Sequence, residues 1–189
     1  MSGRPPRGTG RVGRQSPSPA TAARDNPERQ ALRRALQRLA RRDQSSSQLR
    51  RALAREGLEP EHIERALERL GARRLLDDVA FAERFSRRSL ARGLGRKRIG
   101  IGLAARGISR DDARRGLEQA LEVVPELPAL EQLAGRYWQR HARLAAQQRA
   151  RRLFAFLLRR GFPAASIVLC MRSICPEHSE SIEGLANDD

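Results

Sequence analysis

The sequence predicts an all-α chain: three tandem three-helix repeats stacked into an elongated, curved body between two disordered tails. Three observations predict it. Apolar residues recur at i, i+3, i+4 and i+7, and no run alternates in the manner of a strand. One helix–glycine–helix pattern occurs three times. Composition also changes abruptly at both ends: residues 1–27 are rich in Gly, Pro, Ser and Arg without periodicity, whereas residues 176–189 hold five acids and no Lys or Arg.

From the N-terminus, the first periodic segment runs from Glu28 to Arg42 on the stripe Leu32, Leu36 and Leu39. A helix pair follows in QLRRALAREGLEPEHIERALERL, residues 48–70. The second amphipathic segment, Asp77 to Arg92, carries Phe81 and Phe85 and leads into RIGIGLAARGISRDDARRGLEQAL at 98–121. The third, Leu130 to Arg143, is read on Leu130, Leu133, Tyr137 and Leu144, and leads into RLFAFLLRRGFPAASIVLCMRSI at 152–174. Leu49, Leu53, Gly57, Leu58, Ile63, Leu67 and Leu70 match Leu153, Leu157, Gly161, Phe162, Ile167, Met171 and Ile174 at a constant offset of 104. The middle copy supplies Ile99, Leu103, Gly107, Ile108, Ala113 and Leu117 at an offset of 50.

The repeat has a physical cause. A glycine just past a helix end can take the left-handed conformation, and the residue after it then packs back on the residue four before the glycine. That pairs Leu53 with Leu58, Leu103 with Ile108 and Leu157 with Phe162. Pro60, Pro163 and the Ser109–Asp112 spacing mark starts for the second helices. The expected units are 28–76, 77–124 and 125–175. About fifty residues bury too little surface for much independent stability, so each unit is expected to stack on its neighbour.

The chain of 189 residues carries 38 Lys+Arg against 22 Asp+Glu, a formal charge of +16. The N-terminal tail holds +4 and the C-terminal tail −5, which leaves +17 on residues 28–175. Such a body calls for a polyanionic partner or an acidic surface. Aromatics make up only 4%, so a recognition code built on stacking platforms is not expected. Lys97 is the only lysine; the other cations are arginines, whose planar forks suit phosphate and carboxylate. No run approaches a membrane span, the basic leader has no apolar core of a secretory signal, and two cysteines make no disulfide framework. A reducing cytoplasm is the expected compartment. The acidic tail is expected to compete weakly with phosphate for the basic helices.

Enzyme chemistry finds no foothold in the sequence. Gly100, Gly102 and Ala105 formally spell a dinucleotide fingerprint, but no strand precedes them and the repeat places both glycines inside a helix. Asp77 and Asp78 read as a helix start rather than as a catalytic pair. Cys170, Cys175 and His178 have no established ligand spacing, and His62 and His141 have no nucleophile beside them. No cofactor, metal or catalytic group is therefore expected. Arginines are what remain. Those at Arg33, Arg50, Arg65 and Arg69 have acids nearby and read as a solvated face. Arg87, Arg88, Arg92, Arg96, Lys97 and Arg98, with only Glu83 close in sequence, form the leading candidate for anion or acidic-protein contact. Further candidates are the pairs Arg73 and Arg74, Arg151 and Arg152, and Arg159 and Arg160.

The run LLDDVAFAERFSRRSLARGLGRKRIGIGLAARGIS resembles the signature of the RecX regulatory family: Leu76, Asp77 and Asp78, then Phe81 and Ala82, then Gly93, Gly95, Arg98 and Ile99, then Arg106, Gly107 and Ile108. The similarity extends over about residues 30–174, including FLLRRGFPAASI, with Gly102-Leu103 standing where the family has Glu-Leu. It implies a cytoplasmic bacterial modulator of the RecA recombinase. Such a protein lies in the groove of the RecA filament on single-stranded DNA and mostly inhibits ATP hydrolysis and strand exchange. That would make it a regulator of DNA repair and homologous recombination in the SOS response. A monomer with no membrane attachment and only weak, salt-dependent affinity for single-stranded DNA is expected. The alternative is an independent basic helical protein acting on DNA directly. Against it, second helices such as EHIERALERL mix acids and bases and offer no row of side chains for base edges.

Overall fold

The computed structural model describes residues 26–176. The basic leader, the acidic tail beyond Pro176 and His178 lie outside them. Among the described residues the chain is helical, with no strand. Unit 1 comprises α1 (Pro27–Arg41), α2 (Ser46–Arg55) and α3 (Pro60–Ala72); unit 2 comprises α4 (Asp78–Ala91), α5 (Arg96–Ala104) and α6 (Arg110–Val123); unit 3 comprises α7 (Glu126–Arg140), α8 (Ala146–Arg159) and α9 (Ala164–Ile174).

Local chemistry sets most of these boundaries. The Asn26 side chain accepts the Glu28 amide with Pro27 at the first helical position, Ser45 and Gln48 cap each other reciprocally, Asp77 accepts the Ala80 amide and Ser109 accepts that of Asp112. The glycine turns close as expected. At the end of α8, Gly161 has φ +88° and donates to Leu158 O (2.8 Å), while Phe162 donates to Leu157 O (3.3 Å). The same two bonds recur at Gly57–Leu58 and Gly107–Ile108.

Each unit has its own core. Leu49, Leu53, Ile63, Leu67 and Leu70 fill the first; Phe81, Leu90, Ile99, Leu103 and Ile108 the second; Leu130, Leu153, Leu157, Phe162, Ile167 and Met171 the third. Cys170 and Cys175 are buried in the third core, and burial, with Glu131 and Cys175 nearby, pushes the Cys170 thiol up to about 11. Three expectations change. Leu36 is 40% exposed, and Ala31 and Ala35 take the inner face of α1 because small side chains let α1 and α3 approach. Helix α7 begins at Glu126 rather than Leu130: Pro128 lies in the first turn, where a missing N–H breaks no bond. Leu144 then falls in the turn after α7 rather than on its stripe.

In unit 2 close packing rests on a glycine that periodicity passes over. A Cβ on Gly116 would lie 2.6 Å from Ala82 Cβ and 2.7 Å from Glu83 N, so α6 presses directly on α4. The helix α5 runs unbroken through Gly100 and Gly102, which differ in kind. A Cβ on Gly102 would stand 2.9 Å from Phe85 Cζ, whereas Gly100 has open space around it. Gly100→Ala is therefore expected to add about 1 kcal/mol of stability. A thermal melt should show a rise of roughly 2–4 °C, and Gly102→Ala should show none.

Because the cores are separate, polar seams join the units, and both seams use the same parts. In the second seam, the first turn of α5 meets the last turn of α8. Gly95 N donates to Arg160 O (2.9 Å) and Lys97 N to Gly161 O (3.0 Å), while Arg96 N donates to Glu126 Oε1 (2.8 Å) at the start of α7. In the first seam, Ser45 Oγ donates to Arg106 O (2.7 Å) and Ser46 N to Asp78 Oδ1 (2.8 Å) at the start of α4. Each middle helix thus sets its positive N-terminal end against the carbonyls of the next unit's glycine turn, a favourable alignment of dipoles. The units follow one another in series. At the leading end Gly57 has nothing within 4 Å, which is where the seam pattern stops.

Candidate functional site

At the seams, two grooves each gather several arginines. The larger, about 690 Å³, runs between units 2 and 3 and is lined by Arg92, Arg136, Arg140 and Arg160 together with Leu133, Tyr137, His141 and Phe156. Among its described lining residues there is no carboxylate. The smaller, about 290 Å³, lies between units 1 and 2 and gathers Arg42, Arg88, Arg92 and Arg106 around Phe85, with Asp43 as its acid. Arg92, at the end of α4, lines both.

The grooves echo each other because Arg106 and Arg160 hold one repeat position, immediately before the capping glycine. The Arg106 guanidinium lies over the Phe85 ring at 4.3 Å and donates to Gly102 O (2.7 Å). Arg160 lies over Phe156 at 5.1 Å and donates to Arg92 O (3.1 Å). Stacking on rings and bonding to carbonyls fixes these cations without neutralising them. In unit 1 the same position is Glu56, which pairs with Arg38 at 2.7 Å.

Several arginines elsewhere are paired with carboxylates, often with partners far away in sequence. Arg65 pairs with Glu61 within one helix, but Arg69 reaches Glu28 (2.7 Å), and Arg50 grips Glu64 through two bonds of 2.5 and 2.8 Å. The bonds from Arg50 hold the Glu64 carboxyl below its usual range, and Asp43 beside Arg84 raises that guanidinium further. Such pairs on an exposed face contribute about 0–1 kcal/mol each.

The cluster from Arg87 to Arg98 is divided by the fold. Sequence puts only Glu83 beside it, yet the seams deliver two more acids. Arg96 is held by Glu126 at 2.7 Å, with the Glu126 side chain only 6% exposed, so this cation is a seam strut. Arg87 pairs with Glu83 (3.2 Å), and Arg88 lies 3.9 Å from Asp43, which Arg84 holds by two 2.9 Å bonds. Arg92 opens onto the grooves. Lys97 and Arg98 are exposed on the first turn of α5, outside both grooves. The α5 amides that a phosphate loop would need are donated to unit 3 instead. Arg73 and Arg74 end unit 1, Arg74 in the left-handed region (φ 56°), and neither lines a groove. Arg151, Arg152 and Arg159 are exposed on α8, also outside the grooves, while their neighbour Arg160 lines the larger one.

Sequence reasoning passed over Arg42, Arg106, Arg136 and Arg140, and it did not foresee that the sparse rings would gather. Tyr137 stacks on His141 at 4.0 Å and on Phe156 at 4.8 Å between centroids. Tyr137 and His141 are one helical turn apart, a spacing visible in the sequence. Phe156 arrives from α8, and only the packing of α7 on α8 brings it in.

Comparison with known proteins agrees with this architecture unit by unit. Residues 31–70 match the model described as RecX, first three-helix domain; residues 77–117 match the second and residues 126–168 the third. A regulatory protein RecX from Thermobifida fusca is 32% identical over 153 residues, covering 80% of this chain and 82% of that one. Another, from Chromohalobacter salexigens, is 43% identical over 84 residues, which is 44% of this chain and 55% of the relative. The crystal structure of RecX from Lactobacillus salivarius shares the fold with a TM-score of 0.69 at 19% identity, covering 78% of this chain and 96% of that one. Since all three unit models match in order over the helices that build the seams, the chain belongs to the RecX family of regulatory proteins.

Proposed function

We propose that this protein is a non-catalytic cytoplasmic regulator that binds the RecA recombinase filament on single-stranded DNA and restrains its ATP hydrolysis and strand exchange. The observation that carries this reading is the pair of arginine-lined grooves, set in series and joined by Arg92. A linear series of units presents such grooves at regular intervals, which suits a partner that itself repeats along an axis. The arginines supply polyanion affinity with little sequence readout, so recognition of the filament falls to shape and protein contacts.

The test is RecA's DNA-dependent ATPase with the purified protein titrated from well below one copy per RecA monomer. ATP turnover is expected to fall at moderate salt. Unchanged turnover, with no protein retained on filaments, would reject the reading. The second reading, direct action on DNA, is favoured by the charge of the body. It predicts sequence-specific duplex binding that persists as salt rises, whereas the proposed regulator should show weak binding with a steep salt slope.

A further inference from the structure

We propose that the groove between units 2 and 3 is the docking site of the chain's own acidic end, residues 177–189, which covers the groove arginines until a polyanion displaces it. The regulatory half of this rests on the reading that the groove meets a filament on single-stranded DNA; the docking itself does not.

The groove combines two chemistries. Arg92, Arg136 and Arg140 line it, with no carboxylate among its described lining residues, and the same walls present Leu133 and Val123, the latter 57% exposed. A phosphate backbone answers the cations and leaves the aliphatic wall in water. An occupant that satisfies both must bring acids and aliphatic side chains together. Residues 177–189 do so: they hold five acids and no Lys or Arg, with Ile182 and Leu185 set among Glu180, Glu183, Asp188 and Asp189. The smaller groove is the poorer match, because Asp43 stands in it.

The path of the chain brings this segment within reach. Cys175 is buried in the third core with Leu130 and Ala134 of α7, while Leu133, Arg136 and Arg140, on another face of α7, line the groove. Rounding α7 takes about the width of one helix, roughly 10–12 Å. The stretch from Glu177 to Ile182 alone can span up to about 20 Å. A tether this short sets an effective concentration on the order of millimolar, so a contact too weak to persist between separate molecules still covers the groove. Exposed ion pairs are screened by salt, and the cover loosens as salt rises.

The experiment uses the full chain, without RecA or DNA, and a fluorescent synthetic peptide of residues 177–189. An opened form of the full chain carries Glu180→Gln, Ile182→Ser, Glu183→Gln and Leu185→Ser, all outside the three cores. The peptide is expected to bind the opened form about tenfold more tightly than the parent, whose groove is already filled. In the opened form, glutamine at Arg92, Arg136 and Arg140 should remove this binding, and glutamine at Arg65, Arg114 and Arg115 should not. A peptide with Ile182→Ser and Leu185→Ser, equal in charge, should bind at least about threefold more weakly, a comparison that leaves the protein untouched. Equal peptide binding by parent and opened form would overturn the proposal. So would binding that survives the groove substitutions, or equal affinity for the two peptides. A difference between parent and opened form that vanishes on dilution would place a second copy's acidic end in the groove, and would overturn it too. The two readings fail separately. Peptide docking without any effect on RecA ATPase leaves the docking standing and removes the filament reading; a lowered ATPase without peptide docking does the reverse.

Discussion

Gly161→Ala is expected to lower the melting temperature by about 6–12 °C, although it adds a single methyl group. Two costs combine. At φ +88° the new Cβ pays the left-handed penalty of about 1–2 kcal/mol. It also runs into the backbone of Arg98, where the first turn of α5 lies against the glycine turn. Relief requires unit 3 to move off unit 2, with loss of the bonds from Gly95 N to Arg160 O and from Lys97 N to Gly161 O, at about 1 kcal/mol each. The sum is about 3 kcal/mol, and in a body of this size 1 kcal/mol corresponds to roughly 2–4 °C. Gly57→Ala is the internal control. Its φ is +78°, but nothing lies within 4 Å, so only the backbone penalty applies and the melt should shift by a third to a half as much. Equal shifts for the two variants, read by circular dichroism, would mean that the seam contributes nothing.

The second large effect concerns charge. Replacing Arg92, Arg136 and Arg140 together by glutamine removes three groove cations that hold no carboxylate in place. The affinity for filament on single-stranded DNA should fall at least tenfold at moderate salt. If each arginine meets one phosphate, the slope of log affinity against log salt should become shallower by about two, from roughly 0.7 per contact. A matched triple of Arg65, Arg114 and Arg115 to glutamine removes the same formal charge from cations paired with Glu61, Glu118 and Asp112. That variant should bind nearly as well as the parent. Equal losses would assign the affinity to net charge rather than to the grooves.

Much of the fold was legible because its instructions are local. The helix–glycine–helix pattern, the caps at Ser109 and Asp77, and the three separate cores follow from spacing and turn chemistry. Where the reading slipped, the deciding force was not local. Leu36 is outside because α3 approaches α1 closely enough for alanine and not for leucine. Helix α7 starts early because Glu126 has work to do at the start of α5, a partner thirty residues back. The site was less legible for the same reason. Charge counting along the chain finds Arg87 to Arg98, but only the seams reveal that Arg96 is tied to Glu126 and that Arg92 meets Arg136, Arg140 and Arg160. A signal for part of this was present: Arg106 and Arg160 both precede a capping glycine, and Ser46 and Arg96 stand fifty residues apart. Ring stacking across α7 and α8 left no such trace.

On the proposed function, seam-locked units carry their free cations to a filament partner. A pull-down on immobilised RecA filaments, formed on single-stranded DNA at moderate salt, tests it most directly. The parent chain and the Arg65, Arg114, Arg115 variant should be retained, and the folded Arg92, Arg136, Arg140 variant should pass through. Failure of the parent chain to be retained, or equal retention of the folded groove variant, would contradict it.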